Sequence, residues 1–271
     1  GLFLPEEGCR WGSFDYSSQE PRWLMHYASL APSTRESEKV KEIVKQYQES
    51  DVDFHQIMAD IAGVDRYQAK IINLGTMYGM GIGKLAQTLG DIPFEEAKDI
   101  RREYDEKVPF IRALASSVMD AASKRREVRT LLGRKCRFPM REPRGFSKKA
   151  KTIIHAEKLE EQWQEILSVP VEERDRDWSR SNPATYQVAF VYKALNRLIQ
   201  ASAADQTKKA MQDCIDHGHW PMLTVHDELC FSIESDDQVT EIKALMENCV
   251  PDMKIPSRID VGLGDNWGSA K

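Results

Sequence analysis

Apolar residues at helical spacing dominate the chain, and shorter runs in which apolar and polar residues alternate interrupt it. The clearest alternation lies in residues 221–233, where two apolar runs flank an acidic turn and predict a strand pair. Further strands are expected at residues 11–17 and 258–261, and residues 130–139 are predicted to be strand-like or a hairpin. Helices are expected at residues 19–30, 33–50, 53–61, 65–78, 93–104, 109–126, 186–214 and 237–248, with Gly79, Gly81 and Gly83 ending or interrupting the fourth of them.

Residues 140–185 differ from the rest of the chain. They are polar and densely charged, and they include Pro143, Pro170 and Pro183. Such a composition is typical of surface connections, which tolerate insertions and are more mobile than the elements they join. This segment is therefore predicted to be an insertion or a mobile connection.

The composition is that of an ordinary soluble globular protein, with 271 residues, 41% apolar side chains and a formal net charge of −5. No apolar run approaches the roughly 20 residues of a membrane span, and the N-terminus lacks a secretory pattern, so we expect no membrane association. Five cysteines without a CxxC pair indicate a reducing compartment. Charge is unevenly distributed, because residues 121–160 carry a net +9 and residues 226–271 a net −6. One stretch could contact polyanions while the other could hold cations.

Two aspartates occupy strand-adjacent positions that a core would normally fill with aliphatic residues. Asp15 follows Phe14 in the first predicted strand, and Asp227 lies between Val225 and Leu229. Buried carboxylates are costly unless they are paired or bound to a metal. If the two strands are neighbours, the pair suits a hard divalent cation such as Mg²⁺. The alternative is that each is a solvated turn residue.

Arg66, Lys70, Leu74 and Tyr78 follow one another at four-residue steps in the helix predicted at residues 65–78. Residues with this spacing lie along one face of a helix. Two cations followed by an apolar and an aromatic side chain match a nucleoside triphosphate, with charge for the phosphates and a flat surface for the base. The alternative is an amphipathic helix whose cations are solvated.

Collinear motifs give the sequence a resemblance to the family A DNA polymerases of the bacterial DNA polymerase I type. The motifs are Asp15-Tyr16-Ser17-Ser18-Gln19-Glu20-Pro21-Arg22, Arg66-x3-Lys70-x7-Tyr78-Gly79, Thr130-Leu131-Leu132-Gly133-Arg134, Asn196-x3-Gln200-x4-Asp205, His226-Asp227-Glu228-Leu229 and Val261-Gly262-x-Gly264-x-Asn266-Trp267. Each is weak alone, but together they follow the order of the family and cover residues 11–271.

The resemblance implies an α+β fold of the right-hand polymerase type, in which an antiparallel palm sheet carries α-helical fingers. The implied division is palm at residues 1–22, fingers at 23–139, a charged insertion at 140–185 and the second part of the palm at 186–271. Because the chain starts almost at the first palm motif, we expect the thumb and the exonuclease to be absent from it. An N-terminal polymerase chain that carries the thumb and the family's usual 3′–5′ exonuclease is therefore an expected partner.

The activity implied by the resemblance is template-directed transfer of a dNTP to a primer 3′-hydroxyl. Asp15 and Asp227 would hold two Mg²⁺ ions, and the Tyr16 carbonyl would complete the metal shell. Arg66 and Lys70 would bind the triphosphate. Lys70 could also protonate the leaving pyrophosphate.

The remaining matched positions are implied to contact the sugar, the bases and the DNA. Tyr78 would stack near the templating base, Leu74 would contact the incoming sugar, and Glu20 would crowd its 2′ position and so reject ribonucleotides. The residues implied to bind the primer-template DNA near its end are Thr130, Arg134, Asn196, Gln200 and His226. Donors to minor-groove acceptors that all base pairs share would check shape without reading sequence.

Three features depart from the family pattern. Leu74 stands where the family usually has Phe or Tyr, and Tyr192 stands where the bacterial enzymes usually have Arg. Residues 140–185 are longer than the usual connection.

Two other functional classes remain open at this point. A single-subunit RNA polymerase or a reverse transcriptase would share the carboxylates and the metal ions, although Glu20 and the helix with Gln200 argue against both. A non-catalytic DNA-binding or assembly subunit could retain the polymerase fold, although the intact Asp15 and Asp227 argue against such decay.

Overall fold

More than half of the described residues are helical, and a four-stranded sheet joins strands that are far apart in the sequence. The computed structural model describes residues 3–50, 52–143, 153–170 and 186–270. The strands are β1 (Arg10–Tyr16), β2 (Glu127–Arg129), β3 (Lys135–Arg137), β4 (Arg141–Pro143), β5 (Tyr186–Val188), β6 (Leu223–Val225), β7 (Glu228–Ile233) and β8 (Ile259–Gly264). The helices are α1 (Gln19–Leu30), α2 (Glu38–Glu49), α3 (Phe54–Ala62), α4 (Arg66–Met77), α5 (Ile82–Thr88), α6 (Phe94–Lys107), α7 (Pro109–Arg125), α8 (Ile153–Ser168), α9 (Ala194–Asp216) and α10 (Asp236–Asn248). Across the described residues, every helix falls short of the length and apolar character that a membrane crossing requires.

The main sheet has four antiparallel strands in the order β6-β7-β1-β8. Its register pairs Phe14 with Leu229 and Asp15 with Glu228. Because side chains alternate between the two faces of a strand, Phe14 is buried while Asp15 is exposed on the opposite face. On the core face, the rings of Phe14 and Phe231 pack edge-on, with their centroids 5.4 Å apart. The register therefore sets which side of the sheet carries carboxylates.

Helix α1 connects the main sheet to α9 through buried polar groups. The Trp23 indole N–H donates to Gln206 Oε1 at 2.8 Å. Arg22, which is buried, donates from Nε to Ser17 O and from Nη1 to Pro256 O, both at 2.7 Å. Buried polar groups require such partners, so these bonds fix α1 relative to the end of β1.

The predictions that depend on local sequence patterns are largely confirmed. The helix predicted at residues 19–30 is α1, and the strand pair around the acidic turn is β6 and β7. The helix predicted at residues 33–50 is wrong at its start, since α2 begins only at Glu38. The Thr34 hydroxyl donates to Ala28 O at 2.6 Å and stabilises a turn in place of the first helical residues.

One further prediction is wrong because of a non-local contact, and the helix break predicted at the glycines is confirmed. The helix predicted from residue 186 begins only at Ala194, because residues 186–188 form β5 and pair with β4. The glycines after α4 do end that helix, but α5 begins directly after Gly81 and contains Gly83. Glycine therefore marks the break between two helices here, without preventing the second one.

Part of the segment predicted to be an insertion forms regular structure. Strand β4 pairs with β5, and α8 packs against β4. The guanidinium carbon of Arg141 lies 4.3 Å from the centroid of the Trp163 ring. Residues 144–152 and 171–185 lie outside the described residues, so the mobility of this segment stays a prediction.

The residues after β8 fold back onto it, and two glycines allow the close approach. A Cβ atom on Gly262 would overlap the carbonyl oxygen of Ala270, and one on Gly264 would lie 2.5 Å from Ser269 Oγ. This approach brings Trp267 to the main sheet. We call residues 265–270 the C-terminal tail.

We expect Gly262→Ala to destabilise the protein by about 1–3 kcal/mol, because the added methyl group would force the C-terminal tail away from β8. Gly83→Ala is the matched control, since no described heavy atom lies within 4 Å of a Cβ at that position. In a helix this control should be neutral or stabilising by up to about 1 kcal/mol. Denaturant unfolding measures both variants, and equal unfolding free energies would contradict the packing of the tail.

Candidate active site

The carboxyl groups of Asp15 and Asp227 are in hydrogen-bonding contact on the main sheet. Asp15 is near the end of β1 and Asp227 is in the turn between β6 and β7, so the pairing of β1 with β7 brings them together. Burial raises the pKa of Asp227 above its ordinary value, and the contact with Asp15 offsets part of that rise. The two strands are therefore neighbours, which meets the condition stated from the sequence, and the pair forms a half-buried carboxyl cluster.

The turn that carries Asp227 has an uncommon backbone conformation. Val225 pairs with Glu228, which leaves only His226 and Asp227 in the loop. His226 has a φ of 56°, in the left-handed region that costs a non-glycine residue roughly 1–2 kcal/mol. The short loop fixes the direction in which the Asp227 side chain leaves the strand pair.

Glu228, the last acid of this turn, is buried and has a structural environment. Its carboxylate accepts hydrogen bonds from the Ser13 hydroxyl, from Trp267 Nε1 at 2.9 Å and from the Cys230 thiol at 3.3 Å. Hydrogen bonds of this kind offset the cost of burying a charge. Glu228 therefore ties β1, β7 and the C-terminal tail together beneath the exposed carboxylate pair.

A cavity of about 500 Å³ opens beside the carboxylate pair, between α1, α9 and the turn after β6. Its lining includes Glu20, Gln200, His226 and Asp227. These four residues are predicted site residues from three separate parts of the sequence. The fold brings them to one space that is open to solvent.

Tyr78, which follows directly after α4, contacts two residues that line this cavity, Glu20 and Gln200. Its hydroxyl donates to Glu20 Oε2 at 2.6 Å. Burial and then the bond to Glu20 raise the pKa of Tyr78 well above its ordinary value, while a hydrogen bond with Gln200 offsets part of the rise. The phenol is therefore held as a neutral donor at the cavity wall.

Arg66, at the other end of α4, is held by an ion pair. Its Nε donates to Asp53 Oδ2 at 2.6 Å. Burial would raise the pKa of Asp53, but the hydrogen bond from Arg66 and those from the backbone N–H groups of Gln56 and His55 lower it overall. Arg66 lies twelve residues from Tyr78, which is about 18 Å along a helix axis.

The four residues chosen on α4 do lie along one face. Arg66, Lys70 and Tyr78 are exposed and Leu74 is half-buried, whereas residues 71–73 and 75–77 are buried. The structure brings the aromatic end of this face to the cavity. The cationic end lies beside Asp53.

His55, which the sequence did not single out, is buried beneath the two cations of α4. Its Nδ1 lies 3.2 Å from Asn73 Nδ2, and the Tyr104 hydroxyl donates to Asn73 Oδ1 at 2.5 Å. Burial lowers the pKa of His55. The positive charges of Lys70 and Arg66 also lower it, whereas the carboxylate of Asp53 raises it. This polar chain joins α3, α4 and α6 and favours a neutral imidazole.

The turn between β2 and β3 is fixed to α9 through Asp205. Thr130 Oγ1 donates to Asp205 Oδ2 at 2.8 Å, and the Arg134 guanidinium forms an ion pair with the same carboxylate. The Arg134 side chain is nevertheless 44% exposed. Asn196 and Gln200 lie one turn apart on α9, so four of the residues predicted to bind DNA lie on this helix or against it.

Tyr16, predicted to contribute a carbonyl group, has its side chain in the core. The hydroxyl donates to Met246 O at 2.8 Å, and burial raises its pKa well above the ordinary value. Its side chain is therefore committed to packing against α10. Only the backbone of Tyr16 is left for the predicted role.

Comparison with known proteins gives a family match over nearly the whole chain. A model of the family described as DNA polymerase family A matches residues 1–269. A DNA-directed DNA polymerase of Pseudomonas phage M6 is 32% identical over 304 residues, which covers 98% of this chain and 39% of the phage protein. The thermostable DNA polymerase I of Thermus aquaticus is 29% identical over 285 residues, covering 99% of this chain and 28% of that protein. The chain thus spans about two fifths or less of the length of these relatives.

A solved structure shares the fold. The POL domain of Pol1 from M. smegmatis, in complex with DNA primer-template and dNTP, superposes with a TM-score of 0.66 over 98% of this chain and 41% of that one. The sequence identity is 24%, so this likeness concerns the fold alone.

We expect Asp53→Asn to lower the melting temperature at pH 7, because it removes the ion pair with Arg66 while keeping a helix cap. The pKa of Asp53 is lowered in the folded protein, so this stabilisation is present above the ordinary carboxyl pKa of about 4 and is lost as the pH falls below it. Asp53→Ala also removes the cap and should cost about 1 kcal/mol more. Thermal melts from pH 7 to pH 3 test this, and a pH-independent difference between wild type and Asp53→Asn would contradict it.

Proposed function

Because the chain belongs to DNA polymerase family A, we propose that it performs the nucleotidyl transfer of a template-directed DNA polymerase, joining a dNTP to a primer 3′-hydroxyl. The observation that carries the proposal is the contact between the carboxyl groups of Asp15 and Asp227 beside an open cavity. Phosphoryl transfer needs little covalent chemistry from a protein and depends on positioning and on neutralising charge. This pair and the cationic face of α4 are suited to those two tasks, which favours a catalytic chain over a non-catalytic subunit.

Asp15 and Asp227 would hold two Mg²⁺ ions, with the Tyr16 carbonyl as a further ligand. These residues suit divalent cations. The two carboxyl groups touch, and burial raises the pKa of Asp227, so a bound cation would favour their charged forms. Within the described part of the chain, no three or more His, Cys, Asp or Glu side chains are grouped to hold a metal by themselves. Mg²⁺ commonly takes one or two carboxylates and completes its shell with water and substrate phosphates. When bound, the ions would activate the primer hydroxyl and stabilise the leaving pyrophosphate.

The exposed face of α4 would bind the incoming nucleotide. Arg66 and Lys70 offer fixed positive charge to the triphosphate, and Lys70 would protonate the leaving pyrophosphate. Leu74 and Tyr78 would contact the sugar and the base. Arg66 lies about 18 Å from Tyr78 along the helix, so the two side chains would contact opposite ends of the nucleotide.

Glu20 would act as the barrier to ribonucleotides. Its carboxylate accepts the hydrogen bond from the Tyr78 hydroxyl and lines the cavity. A group held in place by such a bond resists displacement by the extra hydroxyl of a ribose. Sugar discrimination would therefore depend on Glu20 and Tyr78 together.

The primer-template would lie along α9 and the turn between β2 and β3. Asp205 orients the guanidinium of Arg134 while leaving it partly exposed, so little side-chain entropy would be lost on binding. Asn196, Gln200 and His226 would contact the end of the primer-template, with Thr130 supporting Arg134 through Asp205. Contacts to acceptors common to all base pairs would favour correct shape over particular sequence.

The main sheet would be the palm, built from residues 1–22 and 186–271, and the helices of residues 23–139 would be the fingers. The need for an N-terminal chain with the thumb and an exonuclease stays a prediction from the sequence. Primer extension with and without such a chain tests that need. An undiminished rate without it would contradict the prediction.

We expect Asp227→Asn to reduce primer extension by about 10³-fold or more, because it removes a charge that would hold the metal ions. The variant should fold and melt about 1–3 °C higher in the absence of Mg²⁺, since it removes a carboxylate whose charged form is destabilised by burial, as its raised pKa indicates. Mg²⁺ should raise the melting temperature of the wild type and leave that of the variant unchanged. Asp252→Asn, in the exposed turn after α10, is the matched control and should extend primers normally. Unchanged primer extension by Asp227→Asn would contradict the catalytic role proposed for Asp227.

We expect Glu20→Ala to raise ribonucleotide incorporation relative to deoxynucleotide incorporation by about 10-fold or more, because the barrier at the 2′ position is removed. Glu42→Ala, on the exposed side of α2, should leave the ratio unchanged. Single-nucleotide extension with dNTP and rNTP measures the ratio. A wild-type enzyme that is already indifferent to the sugar would contradict the role of Glu20 and favour an RNA polymerase.

A further inference from the structure

Tyr192 packs directly against the residue that follows Tyr78. It lies in a short 3-10 turn (Val191–Lys193) immediately before α9. A Cβ atom on Gly79 would lie 3.0 Å from Tyr192 O and 3.1 Å from Tyr192 Cδ2. Only a residue without a side chain allows this approach, and Gly79 also has a φ of 68°. The two tyrosines are therefore brought together by backbone contact.

The exposed ring of Tyr192 packs against the ring of Phe190 and has the ammonium group of Lys193 beside it. Its side chain is 39% exposed, whereas Phe190 is buried. The rings of Phe190 and Tyr192 meet edge-on with centroids 6.4 Å apart. Lys193 Nζ lies 5.2 Å from the centroid of Phe190 and 5.6 Å from that of Tyr192. This turn therefore presents a rigid aromatic surface with an ammonium group at its edge.

The location of Tyr192 separates it from the nucleotide side of the cavity. Gln200 lines the cavity with Asp227, whereas Tyr192 lies eight residues earlier, in the turn before α9, and is not part of the cavity lining. The hydroxyl of Tyr78 is already bonded to Glu20 on the cavity side. Tyr192 lies against Gly79, so it is next to the proposed base-binding tyrosine but outside the cavity.

We propose that Tyr192 stacks on an unpaired base of the template strand just ahead of the active site, and that Lys193 contacts the adjoining phosphate. An exposed ring together with a cation is the combination by which proteins bind single-stranded nucleic acid. Bases within a duplex are already stacked on each other, and the template ahead of the primer end is the unpaired strand in a polymerase reaction. The inference rests on the proposed function and adds a template-binding residue to it.

This inference also accounts for one departure from the bacterial pattern. An arginine at position 192 would bind a phosphate through charge, whereas the tyrosine binds a base through its ring face. Binding of the single-stranded template should therefore depend less on salt in this chain than in a Tyr192→Arg variant. One added phosphate contact on a single strand steepens the slope of log affinity against log salt by about 0.7.

The test measures the affinity of the complete polymerase for a primer-template with a single-stranded template extension and for the same duplex with a blunt end. Tyr192→Ala should weaken binding of the extended DNA by about 10-fold and leave binding of the blunt duplex unchanged. Tyr192→Phe should bind both like the wild type, since it keeps the ring. The matched control is Phe94→Ala, which removes another exposed aromatic ring at the start of α6. This variant should change neither affinity.

Fluorescence of 2-aminopurine in the first unpaired template positions reports stacking itself. Quenching that is present in the wild type and Tyr192→Phe but lost in Tyr192→Ala would support the inference. Equal losses of affinity on extended and blunt DNA, or unchanged binding of extended DNA by Tyr192→Ala, would overturn it while leaving the polymerase activity in place. Absence of primer extension by the wild-type enzyme would instead overturn the proposed function, and the inference with it.

Discussion

The register between β1 and β7 is the constraint on which the candidate site depends. A shift by one residue would move every side chain of β1 to the opposite face of the sheet. Asp15 would then enter the core, and Phe14 would lose its edge-on contact with Phe231. The packing of the apolar face thus brings the carboxyl groups of Asp15 and Asp227 into hydrogen-bonding contact on the other face. The free energy gained by burying the aromatic rings offsets the cost of partly burying Asp227.

A second feature of the molecule is that its candidate binding cations are fixed by carboxylates of neighbouring elements. Asp53 fixes Arg66 from the start of α3, and Asp205 fixes Arg134 from α9. In both pairs the arginine side chain stays about half exposed. The pair of Arg66 with Asp53 is exposed on both sides, and such ion pairs contribute little to stability, so its main effect is on orientation.

The parts of the structure that could be predicted from the sequence are those with local causes. The face of α4 follows from four-residue spacing, and the strand pair around Asp227 follows from alternation on both sides of a short turn. The contact between Asp15 and Asp227 could be stated only as a condition, since no local pattern specifies which strands are neighbours. The late start of α9 was missed because β5 pairs with a strand about 45 residues earlier, as Glu142 and Gln187 do. His55 was missed because its burial depends on the packing of three helices, and the sequence around it gives no sign of that packing.

The position of β1 in the main sheet has a consequence for how the chain acquires its structure during synthesis. β1 pairs with β7 and β8, whose partner residues are more than two hundred positions later. The helices of the middle region depend on nearby contacts and can form as they leave the ribosome, but β1 has to wait for both of its partners. The tail that bonds Glu228 emerges after β8. The two aspartates therefore meet only when translation of this region is almost complete, so a prematurely terminated product lacks the assembled carboxylate pair.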